Sequence, residues 1–220
     1  MSAAQWVEYG QILRRVHEAA VPSDFAALMP RETFEPPGAS VVRDLDAYVD
    51  QTVSVRPGEA RLAAFWREHR PAIHRLLATA EQLAQMVARQ DLPCVLCHAD
   101  IHTANVLAGA DGRLWIVDWD ETVLAPKERD LMFVAGRGIS DALVGPEDEG
   151  FFFQGYGPTA LDPAALAYYR YAWAISDISA NGTDVVLRPE LSTAARETAT
   201  DDFMSLFGPG EIVARALASA

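Results

Sequence analysis

Residues 94–133 read CVLCHADIHTANVLAGADGRLWIVDWDETVLAPKERDLMF, and the rest of the chain is best interpreted outward from them. Val95 and Leu96 lead as an apolar strand into His98, Asp100 and Asn105, spaced H-x-D-x-x-x-x-N. A second apolar strand leaves at Asn105 to Leu107. Gly109-Ala110-Asp111-Gly112 then supplies residues suited to a tight hairpin turn, and Leu114-Trp115-Ile116-Val117 returns to end in Asp118. The pattern predicts one small sheet that gathers two carboxylates and an amide at one end.

That donor set suits phosphoryl transfer to a hydroxyl, a reaction that asks for positioning and charge stabilisation more than covalent help. One carboxylate beside the attacking hydroxyl is needed, together with hard oxygen ligands that hold magnesium on the phosphates. His98, Asp100, Asn105 and Asp118 occur in the order in which a kinase catalytic loop and its metal-binding aspartate occur.

The segment resembles the aminoglycoside phosphotransferase family, a branch of the protein-kinase-like fold, whose members show H-G-D-x-H-x-x-N and then a strand ending I-D-W/F-D/E. Here the residues are His98-Ala99-Asp100-Ile101-His102-Thr103-Ala104-Asn105 and Ile116-Val117-Asp118-Trp119-Asp120, with Ala99 in place of the usual glycine. The continuation Ala125-Pro126-Lys127-Glu128-Arg129-Asp130-Leu131-Met132-Phe133 is similar to the spectinomycin phosphotransferase branch. The match is specific over 94–133 and looser from residue 5 to about residue 180. The resemblance implies an α+β, mostly α fold, the helical C-terminal lobe of the kinase-like architecture with a small β-hairpin carrying the site. It implies Asp100 as catalytic base, Asn105 and Asp118 as Mg2+ ligands, His98 packed under the loop and Asp130 bracing the loop from a following helix. ATP would be the phosphate donor. The acceptor would be a small cationic hydroxylated molecule, an aminoglycoside or an aminocyclitol such as spectinomycin, which makes the expected role antibiotic resistance.

A kinase-like enzyme also needs a glycine-rich loop and a strand lysine to grip the nucleotide. The chain has no G-x-G-x-x-G, and its one lysine, Lys127, follows the metal aspartate. The expectation is therefore a single helical lobe over residues 1–220 that lacks its N-terminal nucleotide lobe, weak or inactive by itself. A late start site, a split gene with the lobe on another chain, and a stand-alone protein remain open. Two alternative functions accompany them: a non-catalytic ligand-binding protein or remnant of the same fold, and a metal-dependent hydrolase using His98, Asp100, His102 and Asp118.

Ser2 and Gln5 form a capping-box pattern, and Trp6, Tyr9, Leu13 and Val16 follow at helical spacing, so 3–19 reads as an amphipathic helix. His17 near its end reads as a partly buried structural histidine. Residues 21–39 are a proline-rich connection, 40–54 a short helix and 59–89 a helical span that Pro71 should kink or divide. His69 and His74, five apart, share no helix face and make a poor metal pair. Further helices are expected at 129–136, 163–181, 190–207 and 210–219. Phe151, Phe152 and Phe153 read as core, and Asp177, Asp184, Asp201 and Asp202 as solvated acids rather than a pocket for a cation.

Cys94-Val95-Leu96-Cys97-His98 spells C-x-x-C-H, the haem-attachment pattern. On a strand, residues three apart face opposite sides, which argues against haem and a disulfide. A zinc site from Cys94, Cys97, His98 and His102 lacks the intervening dozen residues that let a chain fold back. Half of the 220 residues are hydrophobic, enough for a packed domain, and the net charge is −13. Such a charge repels nucleic acid and anionic membranes and suits a cationic partner, though it is equally ordinary for a soluble acidic protein. Two cysteines, no signal-like N-terminus and no long apolar run imply a cytoplasmic protein.

Overall fold

The structure, a computed structural model, describes residues 1–51, 56–188 and 190–219. The chain divides into two compact units, Met1–Phe34 with Val87–Tyr169, and Glu35–Met86 with Arg170–Ala220. Helices dominate both, and all the strands lie in the first. No helix of the described residues is long and apolar enough to cross a membrane.

The first unit opens with α1, Ala3–His17. Its capping box is formed: Gln5 N donates to Ser2 Oγ at 3.3 Å, and Ser2 N donates to Gln5 Oε1 at 2.9 Å. Trp6, Tyr9 and Leu13 put the apolar stripe into the core. The proline-rich connection carries a single turn, α2 (Ser23–Ala26), and its Pro30–Glu32 backbone lies alongside a strand further on. The sheet expectation needs correction, because there are two small sheets. β1 (Cys94–Cys97) pairs antiparallel with β4 (Val123–Pro126), while β2 (Val106–Ala108) and β3 (Leu114–Ile116) form the hairpin. β4 is only four residues long and sits between Glu121 and Lys127, which hides its Val-Leu-Ala run in a sequence read for periodicity. α5 (Glu128–Leu131) follows at once, then α6 (Asp148–Tyr156).

α1 and α6 cross so closely that two glycines are obligatory. A Cβ on Gly155 would lie 1.8 Å from the carbonyl oxygen of Val7, and one on Gly10 would lie 2.1 Å from that of Phe152. The Tyr9 and Phe152 rings meet edge to face at 5.0 Å in the same contact. Gly155→Ala must push the helices apart against backbone, not against a movable side chain. We expect it to cost about 3 kcal/mol, at the upper end for overpacking, read as a lower urea midpoint with unchanged slope.

The second unit contains α3 (Ala39–Gln51), α4 (Pro57–Val87, whose last residue belongs to the first unit), most of α7 (Pro163–Val186), α8 (Thr193–Ser205) and α9 (Ile212–Ala218). The last three residues expected for the 40–54 helix lie outside the described residues. α4 runs through Pro71 as one helix of 31 residues, so of the two expected outcomes, a kink or a second helix, the second does not occur. Leu62 and Trp66 before Pro71, and Ile73, Leu76 and Ala80 after it, are all fully buried, while Pro71 itself faces solvent. Their burial outweighs the roughly 3 kcal/mol that an interior proline costs.

Asp46 ties α3 to α4. Its Oδ1 accepts from Trp66 Nε1 and Arg70 Nε, each at 2.7 Å, and its Oδ2 lies 2.8 Å from His74 Nε2. Partial burial opposes ionisation, but His74, Trp66 and Arg70 together hold the carboxyl below the usual aspartate range. Its contribution is therefore present above the unfolded value of about 3.9 and is lost as pH falls through the lower folded value. Asp46→Ala leaves the buried Trp66 donor unpaired. It should cost about 1–3 kcal/mol at neutral pH, and the gap from wild type in urea melts should close below about pH 4.

Candidate active site

The residues of the loop and its supports lie in the first unit. β1 delivers the chain to a tight loop at His98–Ile101, held from behind by a buried carboxylate. Asp130, on α5 and fully buried, accepts from His98 N at 2.9 Å through Oδ2 and from Ala99 N at 2.7 Å through Oδ1. His17 Nε2, at the end of α1, is 3.0 Å from Asp130 Oδ2, and His17 Nδ1 is 2.7 Å from the Tyr156 hydroxyl on α6. Burial drives the Tyr156 phenol pKa well upward, so the hydroxyl keeps its proton and donates to Nδ1. His17 then donates from Nε2 to Asp130. Tyr9, likewise kept protonated by burial and by Asp130, donates to the Ile101 carbonyl at 2.5 Å. Two tyrosines and a histidine on α1 and α6 thus hold the loop at both ends, which is why the glycine crossing of those helices bears on the site.

Ala99 has φ +70° and is buried, so it occupies a left-handed conformation that glycine adopts at less cost. The turn it makes places His98 beneath the loop: His98 Nε2 lies 2.9 Å from the Val117 carbonyl, and His98 Nδ1 is 3.3 Å from the Asp100 amide. An acceptor at Nδ1 and a donor at Nε2 describe one neutral tautomer with both nitrogens in use. The Trp119 ring covers His98, with centroids 4.6 Å apart.

Asp100 is partly exposed, and Asn105 closes the loop onto it. Asn105 Nδ2 donates to the Asp100 carbonyl at 2.7 Å and to Asp100 Oδ2 at 3.1 Å. With its amide nitrogen committed, Asn105 keeps Oδ1 for another partner. Val117 N donates to the Asn105 carbonyl at 3.1 Å, so the hairpin sets Asn105 opposite the residue that precedes Asp118. Asp118 has φ +66°, and its exposed side chain makes no hydrogen bond or ion pair with the described residues. A non-glycine residue held left-handed, with an unengaged carboxylate, makes Asp118 a candidate functional position. The Asn105 amide oxygen and the Asp118 carboxylate are hard donors of the kind magnesium takes.

Other candidates have different partners. Cys94 is exposed and Cys97 buried, on opposite sides of β1, and both are free thiols. Cys97, His17 and Asp130 cluster closely enough to suggest a metal. However, both His17 nitrogens and both Asp130 oxygens already have protein partners, and burial pushes the Cys97 thiol far from ionising. Lys127 Nζ sits 3.0 Å from Glu128 Oε1. In the second unit His69 stacks on Phe65 while His74 pairs with Asp46; Asp184 pairs with Arg188 and Asp201 with Arg61. Phe152 is fully buried. Reading the sequence missed Tyr9 and Tyr156 as loop supports and left His17 a generic structural histidine. Those contacts join residues 92 to 139 apart and have no local signature.

Residues 2–169 match the model of the phosphotransferase enzyme family. Among solved structures, the chain is similar to spectinomycin phosphotransferase APH(9)-Ia in complex with ADP and spectinomycin, at 34% identity and TM-score 0.90, over 100% of this chain and 66% of that one. The AMP-bound complex of the same enzyme gives 35% identity and TM-score 0.87, over 99% and 67%. A choline/ethanolamine kinase family protein from Mesorhizobium loti, at 18% identity, TM-score 0.52 and coverage of 100% and 70%, shares the fold alone. These likenesses identify a mostly helical α+β architecture of the kinase-like type. The chain spans about two thirds of the length of the spectinomycin phosphotransferase. Comparison with curated protein sequences returns no match.

Proposed function

The chain belongs to the phosphotransferase enzyme family, and from that premise we propose that its site transfers the γ-phosphoryl group of ATP to a hydroxyl of a small cationic acceptor, with spectinomycin the first choice. The observation that carries this reading is the loop itself, in which Asp100, Asn105 and Asp118 are set by one hairpin and Asp130 holds the turn from behind. Asp100 Oδ2 would accept the proton of the attacking hydroxyl. The Asn105 amide oxygen and the Asp118 carboxylate would hold Mg2+, which, when bound, offsets the charge of the phosphates. Asp130 and His98 would keep the loop in shape without touching substrate. The similarity to an enzyme crystallised with ADP and spectinomycin supports both the donor and the acceptor. The chemistry requires an ATP-containing compartment, and we place the protein in the cytoplasm.

A second reading, a ligand-binding protein of the same fold, is favoured by one observation: the one lysine of these residues is held by Glu128. On the phosphotransferase reading, the nucleotide grip comes from a lobe outside these 220 residues. The hydrolase reading is weakened because both His98 nitrogens, and His102 Nδ1, are engaged by the protein. Following ADP release by the protein as its own cell makes it, with spectinomycin, with other aminoglycosides and without acceptor, separates the three. Acceptor-dependent release supports transfer. Saturable ligand binding with no ADP release supports the binder, and substrate breakdown without nucleotide supports the hydrolase.

A further inference from the structure

We propose that His102 is the positioning residue for Asp100, its Nε2–H anchoring the shielded carboxylate oxygen so that the other oxygen faces the acceptor hydroxyl. The proposal rests on the phosphotransferase reading of Asp100.

The two oxygens of Asp100 are unequal. Oδ2 takes a hydrogen bond from Asn105. Oδ1 is shielded from solvent and makes no hydrogen bond with the described residues. A shielded carboxylate oxygen without a donor is costly, so something should satisfy it when the site is in use. Beside it lies His102 Nε2, 3.3 Å away but off the line a hydrogen bond requires. Catalytic hydrogen bonds commonly are misaligned before substrate binds and tighten in the complex.

The loop prepares His102 for this task. Its Nδ1 accepts from Ala104 N at 3.2 Å, capping the short helical turn Thr103–Asn105, and its carbonyl accepts from Asn105 N at 2.9 Å. With Nδ1 an acceptor, the neutral ring carries its proton on Nε2, the nitrogen that faces Asp100. The Phe133 ring meets it edge to face, with centroids 6.2 Å apart. Because Oδ1 is shielded, Oδ2 is the carboxylate oxygen able to meet a substrate. Anchoring Oδ1 therefore fixes the direction in which the base points, and small misplacements of a reacting group cost rate steeply.

Two substitutions divide the two jobs of this ring. His102→Asn offers an oxygen where Nδ1 was and keeps the cap, but it does not reach Asp100. His102→Gln offers an N–H where Nε2 was and keeps the reach. We expect His102→Asn to lower kcat about ten- to hundredfold with little change in KM for ATP, and His102→Gln to recover most of that loss. Equal rates for His102→Asn and wild type, or Gln no better than Asn, would overturn the proposal. A spectroscopic arm needs no turnover: nitrogen-edited NMR of the wild-type chain should show His102 as the Nε2–H tautomer, with its ring signals moving in Asp100→Asn. Ring signals indifferent to Asp100→Asn would also overturn it. Absence of transfer by the wild-type protein as its own cell makes it would contradict the phosphotransferase reading, while this second arm still decides whether His102 holds Asp100.

Discussion

Asp100→Asn should lower ATP-dependent phosphorylation of the acceptor by roughly a hundred- to ten-thousand-fold, the range a general base supplies, and leave stability and nucleotide affinity near wild type. The side chain is partly exposed, and its one firm side-chain partner, Asn105 Nδ2, also bonds the Asp100 carbonyl. An amide of the same shape therefore keeps the loop closed while removing the charge that, on the proposed mechanism, would take the proton. The measurement is kcat and KM for both substrates beside a urea melt. A fall in kcat alone locates the loss in the transition state. Equal turnover would remove Asp100 from the reaction, and a collapsed melt would show that the residue is structural.

Asp130→Ala should do the reverse in kind. The carboxylate is fully buried and accepts from His98 N, Ala99 N and His17 Nε2. Its removal leaves three buried donors unpaired at once. Each costs about 1–3 kcal/mol when orphaned, and because they can partly relax together we expect a loss of about 4 kcal/mol in total. For a chain of this size that is a drop of roughly 10 °C in melting temperature. Transfer should fall too, with Asp100 untouched, because the turn at Ala99 that presents it has lost its anchor. His17→Ala leaves Asp130 holding the two amides but also orphans the Tyr156 hydroxyl, and should cost less than Asp130→Ala. If Asp130→Ala melts like wild type, the buried carboxylate does not hold the loop.

How far the sequence reveals this molecule depends on the range of the interactions involved. α1 was legible because its signals lie within four residues of one another: a capping box and an apolar stripe at helical spacing. The Asn105–Asp118 hairpin was legible for the same reason, a glycine-bounded turn between two apolar runs. β4 was not, since a four-residue strand paired with residues about thirty positions away has no period of its own. Pro71 starts no second helix, because the burial of Trp66 and Ile73 on either side, which propensity does not contain, holds one helix together. Gly10 and Gly155 looked unremarkable one at a time; only the crossing of α1 over α6 makes them necessary. Ala99 was visible as a departure from the usual glycine, and its left-handed backbone supplies the physical meaning of that departure. The Tyr156–His17–Asp130 chain spans 139 positions, and nothing in the spacing of those residues announces it.

The central claim is that the Asp100 loop moves a phosphoryl group from ATP to a hydroxyl. The most direct measurement is the mass spectrum of spectinomycin after incubation with Mg2+, ATP and the protein purified from its own cell. The account expects spectinomycin heavier by one phosphoryl group, formed in step with ADP and dependent on Mg2+. Spectinomycin recovered unchanged, bound saturably while ATP stays intact, would contradict it and leave a binding protein built on a phosphotransferase fold.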